Sequence, residues 1–244
     1  MDATLGWPCY TYDALKDAFV RYMPKWPPSG LSYPTLIWGD EHTALVAFTD
    51  TPELFGGEIR ILAAIDIQDG KVIRWIDYWD GRHFGAELAA KLRTPVDKFP
   101  TDFKESTAPD NAAPTIRAVA GNLQAAFAGY NPTRAAALFS SDAVYEDMTL
   151  RAQVLGRLAI ERYLGRALAK LPAGGGSSLL HVVGGDMGGG YEWQAAPAYR
   201  ASVRRGVSAV TLDQDGKITR LTTVWDGAMV PDADIKALIL LSLD

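Results

Sequence analysis

The sequence predicts an α+β protein made of two related modules, and three observations lead there. Residues 68–81 align without gaps on residues 214–227, 146 positions further on, and eight of the fourteen residues are identical. A repeat at that spacing is too long for a solenoid unit and fits a whole small domain. Residues 11–26 place Leu15, Phe19, Tyr22, Met23 and Trp26 at helical spacing, and residues 156–171 do the same with Ile160, Leu164, Ala167, Leu168 and Leu171. After each helix come alternating, β-rich runs closed by Asp-Gly turns at 69–70 and 215–216.

Taken in order, the first module spans residues 1–93: the helix over 11–26, then strands over 43–48, 58–67 and 72–79. Gly39-Asp40 matches Gly185-Asp186 at the same 146-residue offset and marks a turn between strands in both copies. Residues 94–112 are rich in Pro, Asp, Lys, Thr and Ser and read as a linker. The second module spans 113–244. It adds a helix marked by Ile116, Val119, Leu123 and Phe127, a shorter one over 133–139 and a strand over 143–148, before the shared helix and strands over 199–212 and 218–225. In the first module only residues 2–4 stand where that extra strand ends, and Asp2 falls on Asp147 at the helix offset of 145. The first copy therefore reads as starting within its own fold, through truncation, degeneration, or cover supplied from the other module or another chain.

Composition narrows the function. The chain is 48% hydrophobic and 22% charged, with a formal charge of -5, and it has no Lys/Arg cluster of the kind that neutralises phosphates, so nucleic acid is not an expected partner. No apolar run approaches a membrane span and no leader is visible, so neither a membrane role nor export is expected. The lone Cys9 excludes an intrachain disulfide and a Cys-rich zinc site, which fits a cytoplasmic protein. His42, His83 and His181 are isolated, and no metal or cofactor is expected. The glycine runs 174–176 and 188–190 lack the Lys-Ser/Thr of a phosphate loop and read as hairpin loops.

Two aspartates stand out. Asp77 shares a strand face with Trp75 and Trp79, while Arg74, Ile76 and Tyr78 face the other way. A carboxyl between two indoles, if the face lines a cavity, is raised towards neutral pKa and suited to general acid/base work; the structural alternatives are that this face is solvent-exposed or that Asp77 pairs with an arginine such as Arg60. The second copy has Thr223 at that position, so the two pockets are not expected to do the same work. Asp147 shares a face with Tyr145, a pairing able to hold and deprotonate a small carbon acid, or else Asp147 braces the turn before the next helix. Asp80 and Asp226, each in Trp-Asp-Gly, suit a turn or cap.

At these residues the chain resembles the SnoaL-like and ketosteroid-isomerase-like branch of the nuclear transport factor 2 superfamily. Ala137-Leu138-Phe139-Ser140-Ser141-Asp142-Ala143-Val144-Tyr145-Glu146-Asp147 is similar to the family's opening motif, whose last aspartate is the general base in ketosteroid isomerases. Gly70-Lys71-Val72-Ile73-Arg74-Trp75-Ile76-Asp77 resembles the motif that carries the acid/base aspartate of polyketide cyclases, with Trp75 where histidine is usual. The resemblance implies cone-shaped modules, each a curved antiparallel sheet wrapped around helices, the first lacking its N-terminal helices. It also implies Asp77 and Asp147 as catalytic groups. The isomerases' helix-borne tyrosine, sought near Asn122, and their second oxyanion-holding acid, sought near Ser208, are absent.

The expected activity is cofactor-free acid/base catalysis on a hydrophobic, oxygenated small molecule such as a polyketide-like or terpenoid intermediate. Asp77 acts in the first pocket with Trp75 and Trp79 as walls and Glu58 and Arg60 as orienting groups; Asp147 with Tyr145 acts in the second. The competing expectation is a non-catalytic module that binds a ligand or pairs with itself, as an internal pseudo-dimer or a homodimer. An epoxide hydrolase ranks lower, because only Asp77 and Arg60 match its Asp-Arg-Asp relay.

Overall fold

Two twisted sheets lie face to face, and each repeat contributes one. The structure is a computed structural model that describes residues 1–243; Asp244, the last residue of the second module, lies outside the described residues. The first module runs α1 (Tyr12–Tyr22), β1 (Ser32–Gly39), β2 (Thr43–Asp50), α2 (Pro52–Phe55), β3 (Ile59–Gln68), β4 (Lys71–Tyr78) and α3 (Gly85–Leu92). The second runs α4 (Pro114–Ala128), α5 (Pro132–Ala136), β5 (Phe139–Asp147), β6 (Ala152–Leu155), α6 (Arg157–Ala167), β7 (Ser178–Gly185), β8 (Gly188–Gln194), β9 (Arg205–Leu212), β10 (Ile218–Trp225) and α7 (Asp232–Leu240). The first sheet is ordered β1-β2-β3-β4 and the second β6-β5-β10-β9-β8-β7, so β1 to β4 repeat β7 to β10.

The extra strand of the second module, β5, pairs with β10 in parallel, Asp147 opposite Thr223. The first module keeps only its stub. Asp2 bridges Asp77 in parallel, with Ala3 N donating to Asp77 O at 2.9 Å and Asp77 N to Met1 O at 2.9 Å. Residues 2–4 thus stand where the alignment puts the end of the missing strand.

Period-two alternation decides what each sheet buries. Leu62, Ala64, Ile76 and Tyr78 on one side of the first sheet meet Val183, Val207, Ala209 and Val224 of the second, forming a core between the modules. Glycines let the sheets approach. A Cβ on Gly190 would lie 2.5 Å from Leu45 Cδ1, and one on Gly188 would lie 2.9 Å from the Trp38 ring. The run 188–190 is therefore strand at the module contact and not the hairpin loop expected, while 174–176 is a loop in which Gly175 lies against Tyr130. The expected strand over 199–212 is shorter: Pro197–Tyr199 forms a 3-10 turn, and the strand starts at Arg205. The segment 94–112 is a packed strap, with Phe99 and Phe103 in the inter-module core.

The opposite faces of the two sheets differ. In the second module α4 and α6 lie across the sheet and bury Ile116, Leu123, Phe127, Ile160, Tyr163 and Leu164. Each such side chain contributes roughly 1.5–3 kcal/mol. In the first module α1 forms, capped by Thr11 Oγ1 accepting from Ala14 N at 3.1 Å, but it buries no residue. Leu15 and Phe19, at the positions of Ile160 and Leu164, are 46% and 47% exposed. The expected helix is present without its expected packing.

Candidate active site

A cage common to both repeats frames the candidate site. In the second module Asp147 Oδ2 accepts from Trp225 Nε1 at 3.1 Å and Oδ1 from Leu150 N at 2.9 Å, and Thr149 Oγ1 donates to Trp225 O at 2.6 Å. In the first, Asp2 Oδ2 accepts from Trp79 Nε1 at 3.1 Å and Oδ1 from Leu5 N at 2.8 Å, and Thr4 Oγ1 donates to Trp79 O at 2.6 Å. An Asp-x-Thr segment thus locks onto the tryptophan of Trp-Asp-Gly in both copies. The shared element holds the strand junction together, so what only one copy has becomes the informative part.

That unshared part is Asp77. It lies on β4 opposite Ala63 of β3, facing away from the inter-module core. Trp75 Nε1 donates to its Oδ1 at 2.5 Å, and no Lys or Arg pairs with it among the described residues. Burial, with like-charge repulsion from Asp2 and Asp50, pushes its carboxyl up to about 7, against the hydrogen bond from Trp75. Phe48 meets Trp75 edge-on with ring centroids 6.4 Å apart. Towards one end the face is filled by Leu5, Ile59, Ile61 and Trp79 with Phe55, Phe84 and Leu92. Towards the other it is open, with Trp75 39% exposed and Val72 and Ile73 about half exposed. Asp77 sits at the border of the two, half-buried on an open apolar face.

The second module fills the corresponding place. Thr223 Oγ1 accepts from Ser208 Oγ at 3.1 Å, and Ser208 Oγ accepts from Trp193 Nε1 at 3.1 Å. Tyr145 and Tyr163 pack ring to ring, 5.2 Å between centroids, and both are buried. Asp147 is 1% exposed and its pKa is raised to about 6, chiefly by burial. The pairing of Asp147 and Tyr145 on one inward face is present; both side chains are buried, and each Asp147 oxygen accepts a hydrogen bond, from Trp225 and from Leu150.

Glu58 and Arg60, expected as orienting groups, do not lie beside Asp77. Arg60 shares its strand face with Leu62 and Ala64, on the side of β3 that meets the second module, and its Nη2 lies 3.4 Å from Glu146 Oε1. Glu58 is exposed ahead of β3 on the same alternation. Neither faces Asp77, so the Asp77–Arg60 pair expected of an epoxide-hydrolase relay is not brought together. Trp75 and Trp79 share the face of Asp77 as expected, though the Trp79 indole serves Asp2. Reasoning from sequence missed Asp2, Asp50 and Phe48 as neighbours of Asp77; the alignment of Asp2 with Asp147 was the available signal for the first.

The Trp-Asp-Gly aspartates do more than turn. Gly81 N donates to Asp226 Oδ1 at 3.1 Å, and Gly227 N donates to Asp80 Oδ1 at 3.2 Å, so each motif clasps the other across the modules. Arg93 Nη1 sits 2.7 Å from Asp226 Oδ2 and Arg82 Nη2 2.7 Å from Asp80 Oδ2. Among the described residues no group of three His, Cys, Asp or Glu is placed to hold a metal ion, and no helix is long and apolar enough to cross a membrane.

No known family profile matches the chain, and no curated protein matches it. Solved structures do. Among them are an NTF2-like protein, a SnoaL-like protein and a steroid delta-isomerase. A steroid delta-isomerase from Pseudomonas aeruginosa is 15% identical, with a TM-score of 0.42 over 55% of this chain and 93% of its own. A SnoaL-like protein of unknown function from Burkholderia thailandensis is 8% identical, with a TM-score of 0.39 over 46% of this chain and 94% of its own. An uncharacterised protein with a cystatin-like fold from Silicibacter pomeroyi is 20% identical, with a TM-score of 0.41 over 53% of this chain and 82% of its own.

Proposed function

We propose that the first module binds a hydrophobic, oxygenated small molecule on its open face and that Asp77 exchanges a proton with it, without a cofactor. The observation that carries this reading is a half-buried carboxyl raised to about 7 although the N-terminal ammonium acts to lower it, with no Lys or Arg paired to it among the described residues and exposed aromatic surface beside it. At that pKa the carboxyl is populated in both protonation states at neutral pH, so one group can take a proton from a carbon acid and return it elsewhere. Trp75 Nε1 holds Oδ1, which leaves Oδ2 to face the substrate, and the Trp75 and Phe48 rings offer an apolar bed for its body. Double-bond isomerisation and aldol-type cyclisation, as on polyketide- or terpenoid-like molecules, are the reactions such a group serves. In this reading the second module is the structural partner of an internal pseudo-dimer.

A second reading, ligand binding without turnover, is favoured by the exposure of Trp75: water reaching the carboxylate weakens its work as a base. One experiment separates the two. A panel of β,γ-unsaturated and polyketone substrates is assayed with the protein and with Asp77→Asn, alongside binding followed by tryptophan fluorescence. Catalysis predicts a fall of at least 100-fold in kcat/KM with binding retained. Binding quenched by the panel, with no turnover by either protein, establishes the second reading.

A further inference from the structure

A cleft of about 340 Å³ opens between the two modules, away from Asp77 and used by nothing described so far. That volume falls at the small end of ligand pockets, roughly 300–1,000 Å³. It is lined by β1, β2 and β3 of the first module and by β5, β6, β9 and β10 of the second. Its apolar wall includes Leu36, Leu62 and Met148. Its polar wall is a charged trio drawn from both modules. Glu146 Oε2 lies 2.7 Å from Arg220 Nη1, and its Oε1 lies 3.4 Å from Arg60 Nη2, while Thr222 Oγ1 donates to Oε2 at 3.3 Å.

We propose that this cleft binds a small amphipathic monocarboxylate, its carboxylate on Arg60 and Arg220 and its apolar chain along Leu62 and Met148. Charge makes the case. Two guanidiniums face one carboxylate, so the trio carries a net positive charge that one anionic group balances. The burial of the three differs in the way the proposal needs: Glu146 is 11% exposed, whereas Arg60 and Arg220 are 53% and 42% exposed. The carboxylate is fixed by its surroundings and the guanidiniums have room to turn to a second acceptor. Arginine's planar fork suits a carboxylate, and its donors not used by Glu146 are free to engage one. The adjoining apolar wall adds the favourable burial that an inorganic anion would not gain.

The test is a titration of the whole chain, labelled on methionine methyls, with hexanoate and with hexylammonium as a cationic counterpart. The expected result is a saturable shift of the Met148 methyl by hexanoate only. Arg60→Gln and Arg220→Gln should each weaken it by about tenfold, the usual scale for loss of a charged hydrogen bond. Glu146→Gln removes the competing acceptor and should tighten it, and Asp77→Asn should leave it unchanged, which keeps this cleft distinct from the open face of the first module. The proposal is overturned by no saturable shift, by equal binding of hexylammonium, or by affinity unchanged in the arginine variants. Should Arg220→Gln fail to fold, Arg60→Gln carries the same comparison, since that side chain is half exposed.

Discussion

Asp77 and Asp147 occupy neighbouring places in the two repeats, and the consequences of altering them have opposite signs. The pKa of Asp77 is raised from 3.8 to about 7 by burial, so the folded state binds more protons than the unfolded state between those values. Stability is therefore lost as pH rises through that window and stays low above it. Asp77→Asn, which cannot ionise, should match the wild type at pH 4 and exceed it by about 1–2 kcal/mol at pH 8 in urea melts, a figure discounted for partial exposure. A variant less stable at pH 8 would show that the carboxylate is held by a favourable partner. Asp147→Ala should instead destabilise by about 2–4 kcal/mol, because the Trp225 indole N–H and the Leu150 amide lose their acceptor inside a closed core. An unchanged melt would remove the brace assignment. Sequence made Asp77 legible because the repeat exposed its loss at Thr223, and it made Asp147 ambiguous because a motif read in one copy cannot report what binds both carboxylate oxygens. The cage became recognisable only with Asp2, Thr4 and Trp79 beside their counterparts. Arg60 was misplaced for a related reason: alternation along β3 was not carried across the pairing to β4, where Ala63, of opposite alternation to Arg60, stands opposite Asp77.

At the level of elements, a helical pattern says which side chains share a stripe and leaves open whether anything receives that stripe. The two shared helices make the distinction measurable. α6 buries Ile160, Tyr163, Leu164 and Ala167, whereas α1 buries nothing. A helix of 11 residues without tertiary support is marginal in water, so the amides of α1 should exchange with deuterium orders of magnitude faster than those of α6. Equal protection in the two would mean that α1 is covered in solution. The hairpin turns after Gly39 and Gly185, both Asp-Gly turns and the position of the strand stub at Asp2 were all readable, since turn chemistry and the repeat offset are local facts; the parallel direction of the stub was not. The strands β1 and β7, the short strand β6 and the closing helix α7 were not singled out. The glycine strand β8 was also missed, because its residues have low strand propensity and owe their place to Trp38 and Leu45 of the other module.

The whole molecule is joined by a buried charged network that neither repeat could sustain alone. Arg74 of the first module lies 2.6 Å from Glu192 Oε2 and 3.3 Å from Asp66 Oδ2. Arg205 of the second donates through Nε to Tyr78 Oη at 2.8 Å, while Tyr78 donates to Glu192, and Asp66 reaches His181 Nε2 at 2.9 Å. Glu105, from the strap between the modules, meets both arginines. Apolar contact across the sheets would by itself tolerate sliding; these directional pairs fix one register between them. The clasp of Asp80 and Asp226 does the same at the far end of β4 and β10. It follows that the wild type should unfold in a single calorimetric transition, with calorimetric and van't Hoff enthalpies in agreement. Glu192→Gln leaves two buried guanidiniums short of charge and should cost about 3–5 kcal/mol, all of it at the module boundary. Because the second module has its own closed core and the first has an open face, that loss should fall unevenly and separate the scan into two transitions, the first module melting first. A lowered but still single transition in Glu192→Gln would show instead that the apolar faces of the sheets are sufficient to couple the modules.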